Sequence, residues 1–406
     1  MALFDKHDIL RPDSDLIEWM RQIRRTIHQY PELAYKEHRT KALIVEKLRE
    51  LGIPCRADIA ETGVVATIDS DLSSVKGAEP QSCVALRADM DGLPVEEKTE
   101  LPFASKIAGQ MHACGHDGHV AMLLGAAALL RHQVVPGRVV LLFQPAEESG
   151  NGARAMLEGG ALEGVRSIFA GHIDLHFEVG QIAAQAGLIC ANTDKFRIQV
   201  CGPGGHAARP HETVDCIVVA SHLVMSIQTL VSREINPAYP TVVSIGRIQG
   251  GTASNIIAEE VVLEGTVRAT DPAIRRQILA GLERMVRATA GMYNAGTAIQ
   301  IKEGLPPVIN DPAAAKLARE AAGLVVGSKG VTAQPHPSLG GEDFACYLAK
   351  VPGCLVRFGA GSPGRAIVPA HSPRYDFDEG VLPVGAGYLA NVAMLALSRE
   401  DLRENS

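Results

Sequence analysis

Four short runs rich in β-branched and aliphatic residues, VVATID, CVALRAD, RVVLLFQ and SIFAGHI, alternate with segments of helical apolar spacing in the first half of the chain. That alternation predicts an α/β domain with a largely parallel central sheet flanked by helices. It also predicts where chemistry would collect. Asp89 and Asp91 follow CVALR, Glu147 and Glu148 follow VVLLFQPA, and His172 follows SIFAG. Open α/β sheets assemble their sites beyond the carboxyl ends of the strands. One pair of carboxylates after a strand is ordinary solvated charge; their recurrence at the same end of successive strands points to a site.

Ahead of these runs, Asp15 to Tyr30 and Tyr35 to Leu51 carry apolar residues at helical intervals, and Gly52-Ile53-Pro54 closes the second segment. Further helices are expected after Cys114 and around Ala153 to Glu158. From about Ala191 to Glu303 the pattern changes, with strands KFRIQVCG, TVVSIGRIQGG and VVLEGTVRAT interleaved with helical segments Val214 to Arg233 and Pro272 to Ala290. A β-α-β-β-α-β order fits this stretch, which is the ferredoxin-like split arrangement. The chain then resumes with LVRFGAG and a closing helix from about Leu382 to Leu397. The expected organisation is a discontinuous domain of residues 1–190 and 304–406, interrupted by an α+β domain of residues 191–303.

A length of 406 residues suits two or three domains. The 39 basic and 46 acidic residues leave a formal charge of -7, with no basic block that could follow a phosphate backbone, so nucleic acid is not an expected partner. The N-terminal MALFDKHDILRPDSDLIEW is acidic and broken by proline, unlike a signal peptide, and no run is expected to reach the roughly 18 apolar residues of a membrane span. A cytoplasmic protein without a membrane partner is expected. The eight cysteines lie far apart and show no paired metal-ribbon or redox spacing.

Met111 to His119, MHACGHDGH, places one thiol, one carboxylate and three imidazoles in nine residues. Soft and oxygen ligands at that density suit a divalent ion such as zinc, cobalt, nickel or manganese. The other reading is a polar helix start, with Asp117 near the N-terminus and Cys114 as a small hydrophobe. His112 and His119 read as packing or hydrogen-bonding histidines rather than ligands.

The strings ALRADMDGLPVEE, MHACGHDGH, FQPAEESGNGARAMLEGG, GPGGHAARPHETVD, SNIIAEE, GGEDFACYL and PAHSPRYDFDEG, in this order, closely resemble the metal-dependent aminoacylase and carboxypeptidase superfamily. The nearest branch is that of hippurate hydrolases, bacterial N-acyl-amino-acid amidohydrolases and plant hydrolases of indole-acetyl amino acids. The resemblance spans about Trp19 to Leu397. It implies a catalytic domain holding two divalent ions and an inserted lid domain that also forms a homodimer. It places metal ligands at Cys114, His116, Glu148, His172 and His371, and a general base at Glu147. Asp89 and Asp117 are expected behind the ligands, accepting from their imidazoles. In the lid, the resemblance implies that His206 reaches the partner subunit's site to stabilise an oxyanion, and that Asn255 and Arg268 bind the substrate's free carboxylate. Gly341, after Gly340, lets backbone approach a ligand. Arg209 and His211 stay ambiguous. Relatives usually carry proline shortly after the fourth ligand, where this chain has Ile173-Asp174-Leu175-His176; His176 is the fallback ligand should that loop be rearranged.

Two ions can clamp a water and a carbonyl oxygen together, and an adjacent carboxylate that holds no metal can carry the proton. The expected activity is therefore hydrolysis of an N-acyl or N-aroyl amino acid to a carboxylic acid and a free amino acid. A dipeptidase or carboxypeptidase, or a biosynthetic deacetylase, would share the same machinery. A binding protein without turnover would have lost Glu147 or a ligand, and neither is missing. No glycine-rich phosphate loop follows the first strand, which argues against a nucleotide-dependent enzyme.

Overall fold

The computed structural model describes residues 9–69, 82–364 and 366–398. The first eight residues, part of the stretch compared above with a signal peptide, lie outside the described residues. Contacts divide the chain into two compact units, residues 1–187, 309–335 and 343–406, and residues 188–308 and 336–342.

The first part of the chain forms α1 (Ser14–Gln29), α2 (His38–Glu50), β1 (Cys55–Ile59), β2 (Gly63–Asp69), β3 (Cys83–Asp89), α3 (His116–Leu130) and β4 (Arg138–Gln144). α4 (Gly152–Glu158), β5 (Ser167–Glu178), β6 (Ile182–Ala183) and β7 (Gly187–Cys190) follow. Then come β8 (Asn192–Cys201), β9 (Gly205–His206), α5 (Cys216–Thr229), β10 (Thr241–Gly250), β11 (Ile256–Ile257), β12 (Glu260–Ala269), α6 (Pro272–Tyr293) and β13 (Gly296–Glu303). The last part comprises β14 (Val308–Asn310), α7 (Pro312–Gly330), β15 (Val331–Thr332), α8 (Ala345–Leu348), β16 (Gly353–Gly361) and α9 (Val381–Ser398).

The first unit is built on an eight-stranded sheet in the order β1-β2-β4-β3-β5-β16-β6-β15. Its centre, β4-β3-β5-β16, is parallel, whereas β1, β2 and β4 pair antiparallel at one edge and β6 runs antiparallel to β16. Parallel strands covered on both faces need apolar residues throughout, and all seven residues of β3 are buried. Beyond its polar first turn α3 is apolar all round, as a helix in the middle of a core must be; thirteen of its fifteen residues are buried. It packs with α9 against β3 and β5.

Two features differ from expectation. Cys216–Glu234 and Val381–Ser398 are each long and apolar enough to cross a membrane by length and composition. α9 reaches that threshold because its side chains fill the core of the first unit, where a charge would have no partner. β5 also runs past the expected end at Ile173 to Glu178. Its tail alternates Ile173, Leu175 and Phe177 with Asp174, His176 and Glu178, a period of two that suits a strand.

In the second unit, β10-β12-β8-β13 form an antiparallel sheet, and the chain visits its strands and helices in β-α-β-β-α-β order. Phe196, Ile198 and Val200 on β8 pack with Leu223 and Ile227 of α5 and with Ile278 and Leu282 of α6. Asp215 and Asp271 cap α5 and α6 by accepting backbone N–H groups, and Pro272 opens α6. Residues 336–342 join this unit, held by backbone bonds from Ser338 N–H to Ile189 O and from Ala191 N–H to Ser338 O.

Candidate metal centre

Cys114 and His116 lie on either side of Gly115, whose φ of 104° is open to glycine and strained for other residues. That turn starts α3 and aims the two side chains toward the end of the sheet. Glu147 and Glu148 come from the loop between β4 and α4, His172 from β5, and His371 from the segment ahead of α9. The structure gathers these residues in overlapping sets: Cys114, His116 and His172; Cys114, Glu148 and His371; His116, Glu147 and Glu148. Within each set the candidate ligand atoms lie within 4.8 Å of one another, and Cys114 belongs to two sets. His176 is not part of them; its ring is exposed and pairs with Asp174 at 2.8 Å.

Hydrogen bonds fix which nitrogen of the His116 and His172 imidazoles is free. His116 Nδ1 faces Asp91 O at 3.0 Å and Asp91 Oδ1 at 3.2 Å, and its Nε2 is buried with no hydrogen-bond partner. His172 Nδ1 donates to Ile173 O at 2.7 Å, and its Nε2 lies 3.5 Å from Cys114 Sγ. A buried imidazole lone pair without a donor is costly unless a cation takes it. His371 Nε2 lies 3.2 Å from Glu148 Oε1. Burial pushes the Cys114 thiol up, so proton loss there needs a nearby positive charge. Burial opposes the charge on Glu148 as well, but the His371 and His116 imidazoles hold its carboxyl below the usual range. One thiol, three imidazoles and a carboxylate, with two nitrogens already oriented, fit divalent ions of the zinc, cobalt, nickel or manganese type.

The loop carrying the two glutamates is held tightly. The N–H groups of Glu147 and Glu148 donate to Asp91 Oδ1 and Oδ2 at 3.1 and 3.0 Å. Ala146 has a φ of 56°, unfavourable for a residue with a side chain, and its N–H donates to the buried Glu37 at 2.9 Å. His371 has a φ of 67°, and its N–H donates to Ala113 O at 2.7 Å. Strained backbone at both places is held by specific bonds, a pattern common at working sites.

The residues expected behind the ligands need correction. Asp89 accepts from His119 Nδ1 at 2.5 Å and from Arg87 Nη1 at 2.6 Å, and lies 3.7 Å from His116 Nε2. His119 in turn accepts from the Ile173 N–H at 2.9 Å, so both of its nitrogens are engaged. Asp117 bonds to no ligand imidazole. It points to α1, where Arg24 Nε lies at 3.2 Å and His28 Nδ1 at 2.8 Å. Arg24 also reaches Asp376 at 2.8 Å and Glu379 at 3.0 Å, and His28 reaches Glu97 at 3.2 Å. Although burial alone would lower it, the carboxylates of Asp117 and Glu97 hold His28 up at about 9. Burial holds His112 down at about 3, a neutral imidazole near the same group. Asp91, a strand-end acid to which the sequence assigns no role, is the carboxylate that stands behind His116.

The remaining expected residues belong to the second unit. His206 on β9 pairs with Ile256 on β11, and the Ala207 N–H donates to Asn255 O at 3.1 Å, so His206 and Asn255 share one short ladder. Arg268 on β12 is half-buried, burial lowers its pKa, and it makes no ion pair or hydrogen bond among the described residues. A Cβ added to Gly341 would lie 3.5 Å from Arg268 Nη1 and 2.7 Å from Thr193 Cγ2, so a side chain there would crowd the guanidinium.

Residues 85–395 match the family described as Peptidase family M20/M25/M40. The chain is 40% identical over 379 residues to thermostable carboxypeptidase 1 of Saccharolobus solfataricus, covering 92% of this chain and 94% of that protein. It is 39% identical over 381 residues to N-acetyl-L-cysteine deacetylase of Bacillus subtilis, covering 93% and 88%. Among solved structures, the Bacillus subtilis YXEP protein, described as a dinuclear metal binding peptidase from the M20 family, superposes with a TM-score of 0.83. It is 34% identical, and the match covers 95% of this chain and 99% of that one.

Proposed function

The chain belongs to peptidase family M20/M25/M40 and is a metal-dependent hydrolase, and on that premise we propose that it cleaves the amide bond of N-acyl or N-aroyl amino acids. The observation that carries this reading is the position of Glu147, a buried carboxylate beside the ligand atoms of His116 and Glu148. Cys114, His116, Glu148, His172 and His371 would hold two divalent ions. Bound there, such ions supply Lewis acidity for the amide carbonyl and bring the pKa of a water toward neutrality. Glu147 takes the water's proton and returns it to the leaving amine, as a general base that becomes a general acid.

Arg268, without an ion pair among the described residues, supports a substrate with a free carboxylate, which a guanidinium grips by two parallel hydrogen bonds. Asn255 joins it in that role, Gly341 leaves room for the ligand, and His206 donates to the oxyanion in the partner subunit's site. The second unit is the proposed lid and dimer contact. Its α5 exposes Ile217, Val218 and Met225, and the edge strand β10 exposes Ile248. All eight cysteines are free thiols, which suits the reducing cytoplasm.

The 40% identity to a thermostable carboxypeptidase favours a second reading, release of a C-terminal residue from a peptide. Chelator-stripped protein reloaded with manganese, cobalt, nickel or zinc and offered hippurate, N-acetyl amino acids, indole-acetyl amino acids and dipeptides separates the two. Metal-restored release from the acyl substrates is expected. Turnover of dipeptides alone would transfer the proposal to the peptidase reading, and turnover of none would overturn both.

A further inference from the structure

All three nitrogens of the Arg87 guanidinium are committed in a buried layer beneath the candidate ligands. Nε donates to Gln144 Oε1 at 2.9 Å, Nη1 to Asp89 Oδ2 at 2.6 Å and Nη2 to Asp343 Oδ1 at 2.8 Å. Asp343 also accepts from Gln144 Nε2, 2.9 Å from each oxygen, and from the Ala153 N–H at 2.9 Å. Its own backbone N–H faces Glu147 Oε1 at 3.4 Å. On the other side of Arg87, Asp89 holds His119, which holds the N–H of Ile173, the residue after His172. One chain of hydrogen bonds therefore runs from Glu147 to the backbone beside His172, and it passes through a single guanidinium.

Arg87, Asp89, Gln144 and Asp343 are all 3% exposed or less. Buried ion pairs are a weak source of stability compared with apolar packing of the same volume. What a fully bonded buried network supplies is fixed position. Here the position it fixes is that of the residue proposed to move the proton.

We propose that Asp343, anchored by Arg87, is a positioning residue for Glu147, and that Arg87 ties the setting of Glu147 to the strand that carries His172. The proposal rests on the amide hydrolysis inferred above. Asp343→Asn keeps the size of the side chain but turns an amide nitrogen toward Arg87 or Gln144. Arg87→Lys keeps the charge but cannot span Gln144, Asp89 and Asp343 together.

The experiment measures kcat, KM and bound metal for wild type, Asp343→Asn and Arg87→Lys on the best N-acyl amino acid, and repeats Asp343→Asn in a Glu147→Asp background. Displacement of a catalytic group by about 1 Å costs on the order of 100-fold in rate, so kcat is expected to fall by about that factor in both variants. KM should stay within about twofold, and bound metal should match wild type. In the Glu147→Asp background, where the shortened carboxylate no longer meets the Asp343 N–H, the same substitution should cost far less, because residues acting through one another are not additive. Wild-type kcat in Asp343→Asn would overturn the proposal. So would a loss of the same factor in both backgrounds, or one matched by loss of metal. A wild-type chain that hydrolyses no N-acyl amino acid would overturn the proposed function, and this inference with it.

Discussion

Asp91→Asn tests whether the ligands are set from behind by the residue the geometry identifies. Three bonds end on this buried carboxylate: Glu147 N–H at 3.1 Å, Glu148 N–H at 3.0 Å and His116 Nδ1 at 3.2 Å. Asparagine can keep the first and third on its one oxygen, but its NH₂ group then faces the Glu148 N–H. A hydrogen bond to a charged acceptor is worth about 1.5–3 kcal/mol, and an orphaned buried N–H costs about 1–3 kcal/mol. Because the two overlap, about 3 kcal/mol is the expected loss. Glu148 and His116 are both candidate ligands, so much of that loss should appear as weaker metal binding, about 10–100-fold. Calorimetric titration of the stripped protein with zinc, beside urea unfolding of the metal-free form, measures both parts. Metal affinity within about twofold of wild type and stability within about 0.5 kcal/mol would refute the reasoning.

Arg24→Met leaves Asp117, Asp376 and Glu379 facing one another without their shared cation. A loss of about 3–5 kcal/mol in urea unfolding is expected, and a loss below about 1 kcal/mol would count against the network. His28 titrates at about 9 in the folded protein against about 6.5 unfolded. Its contribution, on the order of 3 kcal/mol, is therefore complete below pH about 6.5 and disappears as the pH rises through 9. Urea unfolding of His28→Gln should lack that alkaline loss; an unchanged pH slope would contradict the assignment. Arg268→Ala should raise KM for substrates with a free carboxylate by about 10–100-fold with little change in kcat, and an unchanged KM would remove Arg268 from substrate binding.

The central strands were legible because a parallel strand buried on both faces must be a near-continuous apolar run, as β3 and β4 are. Cys114 and His116 were legible in the crowding of thiol, imidazole and carboxylate along MHACGHDGH, whereas Glu148, His172 and His371 were legible as ligands only through the family resemblance. What lay behind them was not. Asp89 and Asp91 are equivalent in residue type and position, and only the path of the loop after β4 decides which receives the two glutamate N–H groups. The destination of Asp117 left a fainter mark. Arg24 and His28 are four apart on α1, on the same stripe as Met20, Ile23 and Ile27, and all five are buried. Two polar residues within an apolar stripe imply a buried partner carboxylate, and Asp117 is that partner. α9 meets the length and composition of a membrane span because an uninterrupted apolar helix in a large core has the same composition as a membrane helix. Arg87 and Asp343 meet across 256 residues of sequence, a pairing that no local pattern encodes.

Titration of the stripped protein with cobalt, followed by absorption, tests the central claim most directly, because a thiolate on cobalt gives a charge-transfer band that imidazoles and carboxylates do not. About two cobalt ions per chain are expected, with a thiolate band that Cys114→Ser abolishes and Glu147→Gln leaves intact while turnover falls by about 10²–10⁴-fold. No band from the wild-type chain, or a Glu147→Gln variant that turns over at the wild-type rate, would contradict it.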